Sequence, residues 1–141
     1  MEENTRILEE LFDKGYATRI VQVVGDKVSA TVRSLSAKDQ LSIESEMGRD
    51  KLKNNPAAYI IHSYSLKLLS KTIVKYGDKE FTDSDKAFEF LENLTNSIID
   101  KLVKAQNGLE KDIRKALEME SIERNFSETG PLPEKLEPPQ E

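Results

Sequence analysis

His62 is the single histidine of this 141-residue chain, and cysteine is absent. A histidine-rich zinc site, a thiolate nucleophile and a cysteine-ligated cluster are therefore outside its means. A general base at His62 would need a nucleophile and an orienting carboxylate delivered by the fold. Its neighbours Ile61 and Ser63 supply no such spacing, so a structural histidine on a helix is the expectation, with Ser63, Ser65 and Ser70 on packing or polar-edge positions. Asp83 and Asp85 around Ser84 look like the start of a calcium loop but lack its glycine and distal glutamate; they suit a helix start instead. Asp39, Glu44 and Glu46 read as a solvated helix face. Tyr59, Tyr64 and Tyr76 lie in a helical pattern without interleaved basic residues, which fits core or interface aromatics better than a base-stacking platform. No catalytic, cofactor-binding or metal-binding residue is assigned, and no cofactor is expected.

Charge narrows the partners further. The net charge of −5 comes from 21 basic and 26 acidic side chains, and residues 118–141 hold seven of those acids against two bases. The body is thus neutral and the end acidic, without the dense basic footprint of a nucleic-acid binder. The start, "MEENTRILEE", has no basic region followed by an apolar run, so no signal peptide is expected. No apolar stretch approaches the roughly 20 residues that span a bilayer, so no membrane contact is expected.

The expected fold is mainly α with a short N-terminal β-hairpin, a small α+β domain. In "NTRILEELFDKG", Ile7, Leu8, Leu11 and Phe12 recur at helical spacing before Gly15, predicting a short helix within residues 1–18 that must dock to persist. The hairpin follows in "RIVQVVGDKVSATVRSLSAKD", where Gly25-Asp26 can reverse the chain. Ser36 is a helix cap, with Leu41 and Met47 facing inward and Gly48 beginning a turn. In "NNPAAYIIHSYSLKLLSKTIVKYG", Asn55 is expected to cap a central helix that ends at Gly77. Phe88, Leu91 and Leu94 mark another helix. Thr95-Asn96-Ser97 offers a fresh cap or a kink, and Ile98, Leu102, Leu109, Ile113 and Leu117 then form a long stripe interrupted only at Gly108, so that Leu91–Leu117 is expected as two helices set end to end. Residues 19–126 make one hairpin-plus-helices domain, and 127–141, "SETGPLPEKLEPPQE", an extended or disordered acidic tail rich in proline.

This order, with "RSLSAKDQLSIESE" after the ribbon, a helix over Ala57–Val74 leading into the turn at Gly77–Thr82, and "ESIERNFSE" ending near Asn125-Phe126, resembles the small bacteriophage tail assembly chaperone and baseplate hub assembly protein families over about residues 20–127. The resemblance implies a non-enzymatic adaptor that binds tail structural proteins: the tape measure protein, tube subunits or baseplate hub components, with self-association a further option. It implies residence in the host cell cytoplasm, or in the virion tail if the chain stays in the particle. The contact residues expected are apolar positions of the C-terminal helical region, Leu102, Leu109, Ile113, Leu117 and Phe126. A permanent structural component of the baseplate hub or tail, and a small intracellular regulator or protein-binding module, are the competing readings.

Overall fold

A computed structural model describes residues 2–129, with side-chain surroundings through residue 122. The extended tail expected over 127–141 does not begin at 127, because the last helix runs on to Thr129; the expectation for residues 130–141 lies outside the described residues. In chain order the elements are α1 (Glu2–Lys14), β1 (Thr18–Val24), β2 (Val28–Arg33), α2 (Ala37–Leu52), α3 (Ala57–Thr72), β3 (Ile73–Tyr76), β4 (Lys79–Glu80), α4 (Ser84–Glu92) and α5 (Asn96–Thr129). The fold is mainly α with an antiparallel hairpin near its start, as the sequence predicts.

The hairpin does not stand alone. Residues 73–76, expected as the last turn of the central helix, are a strand that pairs with β2, and the sheet is four-stranded in the order β1-β2-β3-β4. Two local causes end α3 at Thr72. The run Thr72-Ile73-Val74 is β-branched and stiff at χ1, which favours the pleated surface. Gly77-Asp78-Lys79 then repeats the residues of the first turn, Gly25-Asp26-Lys27. Both glycines take positive φ, +53° at Gly25 and +59° at Gly77, whereas neither aspartate does. A positive φ at the first central position alone is the signature of a type II′ hairpin turn, whose twist matches that of the flanking strands. A Cβ at Gly77 would meet only ordinary contact with Val28, so Gly77→Ala costs conformational energy alone. A loss of about 1–2 kcal/mol is expected from urea unfolding curves.

Pairing with β3 also answers how a hairpin that is marginal by itself persists. Its inner face, Val23, Ala30 and Val32, packs with Leu69, Ile73, Ala87, Leu91, Ile99 and Leu102 in the larger core. A second core joins Ile7 of α1 and Ala17 to Leu109, Ile113 and Ala116 of α5. The helix α5 is continuous over 34 residues and serves both cores. No break occurs at Gly108. The missing side chain there leaves room for the Arg19 guanidinium, whose Nη1 lies 3.3 Å from where a Cβ would sit.

Other helix boundaries divide similarly between expectation and correction. Ser36 caps α2, its hydroxyl accepting from the Asp39 amide at 3.1 Å. Yet Ile43, not Leu41, is the buried residue of α2, and Gly48 sits inside the helix. Asn55 does not cap α3; its amide donates to the Asp50 carbonyl at 3.2 Å. Asp83 caps α4. Lys67 reaches Glu46 at 3.7 Å and Asp50 at 3.6 Å, and the Ser63 hydroxyl donates to Asp50 at 3.3 Å, stitching α2 to α3.

Candidate protein-docking groove

The expected contact stripe of α5 separates into two parts. Leu102 and Leu109 are fully buried and Ile113 nearly so, so these three are core residues and offer nothing to a partner in the folded chain. The reason is that α5 lies across both the sheet and α1, and each claims one length of its apolar face. Leu117 is different: it stands 48% exposed just past the second core. The side chain of Phe126 lies outside the described residues.

Leu117 extends the rim of a concave site. Asn107, Glu110 and Arg114 line one side of a groove of about 500 Å³, and their spacing puts Leu117 three residues further along the same helical stripe. Leu35 and the start of α2, Ser36 to Gln40, line it as well, together with Tyr64 and Leu68 of α3. Leu41, one turn beyond Ala37, and Tyr64 leave apolar surface exposed around it. Leu41 is thus a predicted core residue that the structure turns outward.

A polar seam fixes the groove's shape. Gln106 is buried to 1% exposure, and its amide nitrogen donates to the Arg33 carbonyl at 3.3 Å and to Glu110 Oε2 at 2.8 Å. The same carboxylate oxygen accepts from the Leu35 backbone amide at 2.7 Å. These bonds tie α5 to the end of β2 and the entry to α2, and they hold one oxygen of the Glu110 carboxylate. Arg114 has no ion-pair partner among the described residues. The groove therefore offers aliphatic and aromatic surface with one free cation, which suits an amphipathic segment carrying a carboxylate.

Beyond the groove, a charged clasp holds α1 to the body. Arg19 bridges Glu3 at 3.0 Å and Asp112 at 2.6 Å, while Arg6 bonds Glu3 and Glu10, each at 2.7 Å. Glu10 also accepts from the Thr18 amide at 3.0 Å and its hydroxyl at 2.7 Å. Hydrogen bonds from Arg6 and then Arg19 lower the Glu3 pKa to about 2, from an ordinary 4.5. Burial would raise Glu10, but the Thr18 bonds and Lys14 outweigh it and lower that group too. A depressed folded-state pKa means the unfolded chain binds more protons, so this stabilisation is full above about pH 4.5 and is lost as pH falls toward 2. Glu3 is about half exposed, so solvent screens the effect. The protection factors of the α1 amides, which divide out the intrinsic pH dependence of exchange, are expected to fall over that acid range in the wild type. Glu3→Gln should flatten the dependence.

Other side chains that could do chemistry are occupied or isolated. A hollow of about 360 Å³ contains Tyr16, Arg33, Asp39 and Lys71. Its Arg33 is held by Asp39 at 3.5 Å and the Lys71 carbonyl at 3.2 Å, and lies 5.3 Å from the Tyr16 ring centre. That arginine joins β2 to α2 and α3. His62 is exposed on α3, beside a small hollow that Glu92 and Asn96 share. Among the described residues no three histidine or carboxylate side chains converge to hold a metal, and no helix is long and apolar enough to cross a membrane. Comparison with protein-family models, with curated proteins and with solved structures finds no match.

Proposed function

We propose that this chain is a non-enzymatic assembly adaptor, and that its groove receives an amphipathic segment of a larger structural protein. The observation that carries the reading is the groove itself: Tyr64 stands exposed in its lining, Leu41 and Leu117 stand exposed one helical step beyond that lining, and part-buried polar bonds tie its walls together. Exposed apolar surface gathered at a rigid concave site is what a docking protein keeps and a merely structural domain covers. The resemblance of the element order to tail assembly chaperones and baseplate hub assembly proteins supports a phage tail partner: the tape measure, tube or hub protein.

Capture of the full chain on immobilised tape measure, tube and hub proteins from its own genome tests the reading, and a genome without them rejects it. The wild type is expected to be retained by one of them. Tyr64→Lys with Leu117→Lys should weaken that capture at least about tenfold while leaving the circular dichroism spectrum and thermal midpoint unchanged. Retention of the wild type by none would reject the tail-assembly reading. Presence of the chain at fixed stoichiometry in mature particles would make it a permanent component and not a transient chaperone.

A further inference from the structure

The tip of the α2–α3 hairpin is a second surface, separate from the groove, that α2 and α3 leave uncovered. Leu52 and Tyr59, on either side of the turn, are both more than half exposed there. Arg49, Lys51 and Lys53 flank them without an ion-pair partner among the described residues, because the one nearby acid of the tip, Asp50, is turned inward to Ser63 and Lys67. An apolar patch ringed by unpaired cations calls for an occupant that is apolar and acidic.

Residues 130–141 have that composition. Leu132 and Leu136 stand among prolines at 131, 133, 138 and 139, with Glu134, Glu137 and Glu141 against Lys135. Proline-flanked apolar residues bind exposed tyrosine rings at low entropic cost. Reach decides which copy is served. The 34 residues of α5 carry the chain about 50 Å from Asn96 to Thr129. His62, one turn from Tyr59, lines a hollow with Asn96, so the tip adjoins the start of α5. Leu136, seven residues past Thr129, can lie at most about 25 Å beyond it. The segment falls short of its own tip.

We propose that residues 130–141 of one copy dock on the α2–α3 tip of a second copy, with Leu132 and Leu136 against Leu52 and Tyr59, and with Glu134 and Glu137 facing Lys51 and Lys53. The contact is head to tail, so each copy that donates a segment still offers a tip, and association grows with concentration without closing as a symmetric pair. It weakens as salt rises. It does not depend on the groove or on the identity of any groove partner.

Sedimentation of the full chain at increasing concentration and at low and high salt tests it, with two charge-reversed variants. Lys51→Glu/Lys53→Glu destroys the tip and keeps the segment; Glu134→Lys/Glu137→Lys does the reverse. Circular dichroism checks that both remain folded. The wild type is expected to self-associate, more weakly in high salt, and each variant alone to require at least about tenfold more protein. Their equimolar mixture should regain open-ended association, because intact segment meets intact tip and reversed segment meets reversed tip in alternation along the assembly. All four changes in one chain should restore open-ended association. A wild type that stays monomeric to about 1 mM, variants that associate as it does, or a mixture that stays monomeric would each overturn the proposal.

Discussion

Leu102→Ala and Leu109→Ala are each expected to lower the unfolding free energy of the isolated chain by about 2–5 kcal/mol, the range for truncating a fully buried leucine and leaving a cavity. Urea denaturation with no partner present measures it. Leu102 is enclosed by the sheet, α3 and α4, and Leu109 by α1 and its neighbours on α5. The two losses therefore differ in kind. Removing Leu109 should also release α1, seen as faster amide exchange over Glu2–Lys14, because a helix of that length has little stability undocked. Leu117→Ala should cost less than about 1 kcal/mol, since that side chain is half exposed. A stable Leu109→Ala protein would contradict the placement of α5 in the second core.

Gln106→Leu is expected to cost about 1–3 kcal/mol although it adds apolar volume to a buried site. The amide it removes is a donor to the Arg33 carbonyl and to Glu110, and a buried acceptor that loses its donor keeps its full desolvation penalty. Gln106→Glu should be worse near neutral pH. It would set a second carboxylate against Glu110 and take away both donated bonds. That penalty should shrink as the pH is lowered and one of the pair takes up a proton, while the loss from Gln106→Leu should not follow that trend. Thermal midpoints of the two variants across pH 4–7 separate the cases. Equal pH profiles would show that Glu110 is not held as the seam requires.

How much of this was legible beforehand depended on distance along the chain. The first hairpin, the Ser36 cap and the helix α1 itself each rest on residues a few positions apart, and the sequence pattern finds them. The second ribbon was missed because its strand continues a helical apolar pattern with no break. The signal that could have found it is the repeated Gly-Asp-Lys, which marks a hairpin at 25–27 and equally at 77–79. The stripe Leu102, Leu109, Ile113 was legible as a stripe. Its partner was not, since helical periodicity says that a face is covered and never by what. Neither the groove nor the clasp has any local signature: the groove draws on α2, α3 and α5, and Arg19 and Asp112 stand 93 residues apart.

The pairing of α1 with the far half of α5 also sets an order of events during synthesis. Ile7 finds its place only against Leu109, Ile113 and Ala116, so α1 leaves the ribosome with no surface to rest on until those residues have followed it. At ordinary translation rates of about 5–20 residues per second that wait lasts several seconds. Through it Ile7, Leu8 and Leu11 stand bare on a nascent chain whose hairpins and larger core are still assembling. Made before both hairpins, α1 is seated after them, and for that interval a completed element keeps an apolar face with nothing to cover it.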